Sequence, residues 1–579
     1  MISKTQTKLK SDAIVGPEDW KGWVKYLRKR RKPLAVHEVI KSEKISSLKW
    51  GLASFDREST GALIDELFCV VRESIARKNL GDTLNSWLAA IPSEADQSFA
   101  AECLAWSHAL PHLVDELGEE RWADLLDTLI QIARDSAAIS LDSNPLVNQM
   151  LSAELPLTLS YQFPEIQRCS ELAGSATASL SQAASDLLDG RGLPHARNLG
   201  IVRPLLVCWT RCGLLGNAAK RPCFNEIVHA QFEWLIRQSF RLSTHDGSQV
   251  FFNAPDTRWN KRFFEAALTL SDDNDDKAIA AQALRGFKNT TSTQSKCKDR
   301  PKSAYHSEWA QTAMLRASWS RKSELLAVTY DESVFRSELR VGAATIWSGR
   351  CNPVIRVNKS VLEPESEWEQ VCWHSDQDVD YLELEMEYRS GWKLQRQVLL
   401  AREDRFLFLA DAVIGADSSQ IEYRRILPLV GEVQLNAAEE TRDGLLYNEQ
   451  RLATVMPLAL PEWRTESTDD RLEQTDCGLE LCQHQFGAAH YAPLFIDLKP
   501  SRFSKELTWR QLTVADRLET QSRDIAVGYR VQIGKAQWLI YRSLSPPANR
   551  TVLGQNLTCE FFLGRFTKNG ATKELLQIN

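Results

Sequence analysis

Between Asp19 and about Leu270 the apolar residues recur at three- and four-residue spacing, in segments such as ALIDELFCVVRESIA, RWADLLDTLIQIARDSA, LSAELPLTLSYQF and HAQFEWLIRQSFRL. That spacing lines one face of a helix. The segments follow one another with short breaks, which predicts antiparallel helical hairpins rather than one long coiled coil. From Ser271 to Ser303 the chain turns polar, SDDNDDKAIA and then KNTTSTQSKCKDRPKS, and a surface loop or linker is expected there. From Glu308 onward the period shortens to two, in LLAVTY, YLELEMEYR, KLQRQVLL, RFLFLADAV, IEYRRILPLV, DIAVGYRVQI, AQWLIYRSL and CEFFLGRF. Strands in succession without intervening helices predict an antiparallel sandwich rather than a parallel sheet. The expected organisation is a helical domain over 1–270, a polar linker over 271–303 and an antiparallel β-sandwich domain over 304–579.

Composition narrows the function classes. At 43% hydrophobic and 25% charged, the 579 residues can build more than one core, which excludes disorder and a minimal disulfide scaffold. Seventy Lys and Arg against 76 Asp and Glu leave a net charge of -6, so no global field favours nucleic acid and any anion site must be local. The basic start has no apolar stretch of signal-peptide length. Nor does any run approach the roughly 18 apolar residues of a membrane span, so a soluble, cytoplasmic protein without a membrane partner is expected. The twelve cysteines form no CxxC pair and sit mostly in apolar runs, as buried free thiols do. Cys208 and Cys212 share a helix spacing, but no second ligand pair accompanies them, and neither metal nor other cofactor is expected.

Three stretches bear on function. The first, NPLVNQMLSAELPLTLSYQFPE, runs from Asn144 to Glu165; the second, LLDGRGLPHARN, from Leu187 to Asn198; the third is FEWLIRQSFRLSTHDGSQVFFN. In these stretches, and in SGWKLQRQVLLAREDRFLFLADAV, the chain resembles the heparinase II/III-like polysaccharide lyases, over perhaps two thirds of its length. The resemblance implies an incomplete α/α toroid joined to a β-sandwich, with an acidic glycan bound in the cleft between them. It also implies a role for Asn144 or Asn148 on the substrate carboxylate. In the second stretch Asp189 and Gly190 match the family's Asp-Gly turn, His195 is displaced by about two positions, and Asn198 stands where a Glu is expected.

Eliminating a uronic-acid glycoside requires a hydrogen-bonding or positive group on the carboxylate, a base for the C5 proton and an acid for the leaving oxygen. The segment from Asp189 to Arg203 supplies Arg191, His195, Arg197, Asn198 and Arg203 beside a Gly-rich turn, a local anion site with His195 as the expected base. Two departures from the family stand out. There is no tyrosine between Tyr161 and Tyr305, where the family's proton-transferring Tyr falls, and LLAVTYDESVFRSELRVGAATIWSG lacks the family's sandwich histidine. Replacements from elsewhere would be Tyr161, Tyr305, His245 or His306. His374 with Asp376 and Asp378 is a weak metal constellation. Trp209 and Trp234 sit in apolar helical patterns and read as core, whereas Trp259, in DTRWNKR, is the expected sugar platform. Two functions compete: cleavage of a uronate-containing polysaccharide by β-elimination, and glycan binding or assembly by an inactive relative of the same fold. A hydrolase using Asp246 and Asp256 is a third, without a motif. The expected partner is an acidic polysaccharide or oligosaccharide, and the sequence leaves the oligomeric state open.

Overall fold

A computed structural model describes residues 19–30, 46–51, 57–73, 79–252, 261–287 and 301–579. The chain forms two compact units. The first runs to Phe240 and takes in Phe252–Ala280; the second holds Arg241–Phe251, Ala281–Arg285 and the C-terminal part of the chain.

The first unit is helical. Its main helices are Glu58–Glu73, Gln97–Ala109, Val114–Asp135, Leu172–Asp186, Val202–Ala218, Glu226–Arg241 and Lys261–Ser271. Gln97–Ala109 starts where the Asp96 carboxylate accepts the Phe99 N–H at 2.7 Å, and every residue from Ser98 onward is buried. Its one acid, Glu102, accepts from Trp87 Nε1 at 3.0 Å and from the Thr60 hydroxyl. The stretch from Asn144 is a single rod with a widened π turn at Met150–Glu154 between Pro145–Gln149 and Leu155–Gln162. Pro156 accounts for it. Proline has no N–H to offer and its ring crowds the carbonyl four residues back, so the preceding turn opens. The span Ala196–Ala218 is long and apolar enough to cross a membrane, but 83% of its most apolar window is buried inside the protein, as in a core helix. Its Arg211 makes a two-pronged pair with the buried Glu154, at 2.5 and 2.8 Å.

One expectation needs correction. Asn274–Ala283, inside the stretch expected to be a polar linker, is a helix. Asp273 Oδ1 accepts the N–H groups of Asp275 and Asp276 at its start, and Ile279, Ala280 and Ala283 are buried. Three small or medium apolar residues suffice to bury that face.

The second unit is antiparallel throughout its paired strands, in four sheets. The first sheet runs Tyr305–Ser307, Thr312–Arg316, Glu324–Thr329, Arg336–Val341 and Ala344–Arg350 in chain order. The largest has Val379–Tyr388, Trp392–Ala401, Phe406–Leu427 and Gly478–Asp497 at its centre. Leu326, Val328 and Leu339 of the first sheet pack with Leu394, Val398 and Leu409 of the largest. The opposite face packs Tyr381, Leu399 and Phe408 against Val531, Ile540 and Leu563 of another five-stranded sheet. The largest sheet is therefore covered on both faces, which is why RFLFLADAV is almost continuously apolar. RFLFLADAV and IEYRRILPLV, which read as separate strands, form one strand, Phe406–Leu427, through an irregularity between Ile414 and Ser419.

Candidate functional site

In the helical unit the Asp-Gly turn builds a small, rigid loop. Asp189 Oδ1 accepts the backbone N–H groups of Arg191 at 2.8 Å and Leu193 at 3.0 Å, and Asp189 N–H donates to the Leu193 carbonyl at 3.0 Å. Gly190 and Gly192 both lie at positive φ, 80° and 77°. Gly192 is also pressed onto the helix Glu226–Arg241, where an added Cβ would come within 2.3 Å of Leu235 N. Gln231 and Gln238 of that helix complete the clamp, one accepting the Gly192 N–H at 2.9 Å and the other donating to the Arg191 carbonyl at 2.8 Å.

This fixing aims a set of donors. Arg191 is exposed, with its guanidinium 5.8 Å from the Trp234 ring centre, and Arg237 lies 4.8 Å from the same ring. Arg237 is held by Asp273 and Asp276 at 2.8 and 2.7 Å. Trp234, expected in the core, is thus half-buried with guanidiniums on its ring, whereas Trp209 is fully buried and donates to Gln149 Oε1 at 3.0 Å.

His195 opens the short 3-10 segment Ala196–Ile201, and its Nδ1 accepts from Arg197 N at 3.4 Å and Arg197 Nε at 3.3 Å. A guanidinium N–H can only donate, so Nδ1 is the acceptor in both contacts. Arg197 is exposed and Asn198 half-buried. Arg203 is only 2% exposed, within the buried start of Val202–Ala218, and is withdrawn from the loop surface.

The asparagines serve the helix. Asn144 Nδ2 donates to the Ala95 carbonyl at 3.4 Å. Asn148 is buried; its Nδ2 donates to the Ile139 carbonyl at 2.8 Å while its Oδ1 accepts from Gln149 Nε2 at 2.9 Å and Ser152 Oγ at 3.2 Å. Tyr161 is half-buried on the same rod. The turn that ends it places Glu165 against Tyr26 Oη at 2.6 Å and Arg30 at 2.5 Å. Burial pushes the Glu165 carboxyl up, but these two donors outweigh it and hold it below the usual range. Trp259 and Asp256 lie outside the described residues.

In the second unit, Leu242–Val250 forms a hairpin with Asp246 at its tip. Asp246 accepts from Thr244 and Ser248, contacts that outweigh its burial and hold its carboxyl low, so it is a turn residue. Within LLAVTYDESVFRSELRVGAATIWSG, which has no histidine, stands the buried Glu338, accepting from Arg340 Nε at 2.5 Å, Ser348 Oγ at 2.8 Å and Phe251 N at 2.8 Å. Arg340 in turn donates to Ser248 Oγ at 3.1 Å. A carboxylate and guanidinium thus fasten the hairpin to the strand. His306 lies 2.7 Å from Tyr330 Oη and stacks on Trp373; burial lowers its pKa to about 4, and Tyr330 is itself buried. His374 pairs with Asp376 at 3.2 Å, while Asp378 faces Lys573 at 3.2 Å. Among the described residues no group of three or more His, Cys, Asp or Glu is placed to hold a metal ion.

Solved structures share this architecture across nearly the whole chain. A heparinase III structure superposes with a TM-score of 0.58, covering 91% of this chain and 95% of its own, at 10% identity. The chain has the heparinase III fold. A second heparinase III, the BT4657 gene product, gives a TM-score of 0.57 at 12% identity over 91% and 94% of the two chains. A mutant of the heparan sulfate lyase HepC from Pedobacter heparinus gives 0.56 at 12% identity over 91% and 95%. No protein-family model and no curated protein sequence matches the chain. The helical unit is accordingly an α/α toroid of the heparinase III type, and the second unit its β-sandwich. Gln149 and Gln231 escape a sequence reading of the site, since each acquires its role through a partner some 40 to 60 residues away.

Proposed function

We propose that the chain binds acidic, uronate-containing polysaccharide through the loop that carries Arg191, His195 and Arg197, without cleaving it. The buried Asn148 amide carries this reading: its donor is taken by Ile139 and its acceptor by Gln149 and Ser152, so it is not offered to a substrate carboxylate. The exposed guanidiniums of Arg191 and Arg197 supply donors suited to a carboxylate or sulfate. The chain without tyrosine between Tyr161 and Tyr305 points the same way. The heparinase III fold supports the glycan class, since proteins named heparinase III and heparan sulfate lyase share it. The test is to mix the protein with a panel of uronate polysaccharides, recording binding by calorimetry and unsaturated-uronate formation by ultraviolet absorbance. Binding without absorbance growth is expected. Growth abolished by His195→Ala would establish β-elimination with His195 as base instead, and absence of both signals would remove the glycan reading.

A further inference from the structure

The helix Glu226–Arg241 turns one face to the Asp189 loop. Gln231, Trp234, Leu235 and Gln238 fall on that face, at i, i+3, i+4 and i+7. Gln231 and Gln238 bond the backbone of Gly192 and Arg191, and the backbone of Leu235 lies against Gly192. The main chain at Arg191 is therefore fixed on both sides. What stays free is its side chain, which is among the richest in rotamers and loses the most freedom when it is immobilised by a ligand.

Trp234 is the member of that face which meets this side chain. Its ring centre lies 5.8 Å from the Arg191 guanidinium and 4.8 Å from that of Arg237. Two like charges beside one ring repel, but Arg237 Nε donates to Asp276 Oδ1 at 2.7 Å and its Nη2 to Asp273 Oδ2 at 2.8 Å, so its charge is compensated. The Arg237 side chain is only 12% exposed and Asp276 is fully buried, which pins that guanidinium against the indole and steadies the ring. The exposed Arg191 is the one of the two that a ligand can reach.

We propose that Trp234 is a positioning residue: its ring, steadied by Arg237, holds the Arg191 guanidinium in place before an anionic group of the polysaccharide arrives, so that less rotamer freedom is lost on binding. This rests on the glycan-binding reading of the loop. Calorimetry on the full chain with heparin, polygalacturonate and hyaluronate as probes tests it, the probe bound tightest by the wild type being carried through Trp234→Leu, Trp234→Phe, Arg191→Ala, Arg197→Ala and the double variants of Trp234→Leu with each arginine change. Trp234→Leu should weaken binding about 2- to 5-fold, and Trp234→Phe, which keeps a ring face, by less than about 2-fold. Added to Arg191→Ala, Trp234→Leu should change Kd by less than about 1.5-fold, since nothing is left to position, whereas added to Arg197→Ala it should cost its full factor. Unchanged binding in Trp234→Leu, or a loss that multiplies with that of Arg191→Ala as fully as with that of Arg197→Ala, would overturn the positioning role while the glycan reading stands. A wild type that binds none of the three probes overturns both. The stoichiometry of each titration gives the folded fraction, so a partly unfolded variant shows fewer sites and an unaltered Kd.

Discussion

At the scale of single residues, the loop separates groups proposed to bind glycan from groups that hold the turn. Arg191 and Arg197 are exposed and carry charge, so Arg191→Ala and Arg197→Ala should each weaken polysaccharide binding about 3- to 10-fold with little change in Tm. The loss should shrink as salt rises, which calorimetry at two ionic strengths checks. Asn148→Ala should behave oppositely: removing a buried amide with donors and acceptors both engaged costs about 1–3 kcal/mol of stability, leaving binding by the folded fraction unchanged. Gly192→Ala combines a positive φ with a clash against the backbone of Leu235, and should cost more than about 1 kcal/mol. The Asp189 turn is legible in DGRG because an aspartate bonding the next backbone N–H groups is a local event. The anchoring of that turn on Leu235 and the approach of Arg191 to Trp234 are not, because they join positions distant in sequence. HAQFEWLIRQ shows Trp234 on a helix but not that its ring ends at the helix's outer edge.

At the scale of elements, periodicity reports what one face buries. The three- and four-residue spacing of the N-terminal part reads directly as helices because each buries a single stripe. Asn274–Ala283 escapes that reading: its buried stripe is small and DDNDDK around its start resembles a loop, although Asp273 in it caps the helix. Pro156 inside an apolar helical run signals a local break, and the chain answers with a wide turn rather than an end. Beside that turn, Glu154 and Arg211 pair in the interior. Glu154→Ala would leave Arg211 buried without its carboxylate and should cost about 3–5 kcal/mol, read as a lowered denaturant midpoint with unchanged slope. The double variant Glu154→Leu/Arg211→Met should recover much of that loss.

At the scale of the whole molecule, stability should depend on acid through buried neutral histidines. His490 and His306 both have pKa values lowered to about 4 by burial, from an ordinary value near 6.5. As pH falls through about 6.5 the unfolded chain takes up these protons while the folded chain does not until about 4, so stability falls across that window, by up to about 3 kcal/mol per histidine. Urea midpoints recorded between about pH 7.5 and about pH 4.5 should decline accordingly, and His490→Gln should flatten the decline.

The pairing of Arg396 with Asp411 bears on how the sandwich assembles. These residues face each other across neighbouring strands, Arg396 Nε and Nη2 each donating to an Asp411 oxygen at 2.7 Å, and the sheet that carries them is apolar on both sides. In such a sheet greasy surface cannot tell one alignment from another two residues out of step, since either places apolar groups inside. The charges can. A chain zipped two residues awry would strand a guanidinium and a carboxylate apart in a dry interior, an error of several kcal/mol. The Arg396–Asp411 pair thereby favours the observed alignment of these two strands over its slipped neighbours.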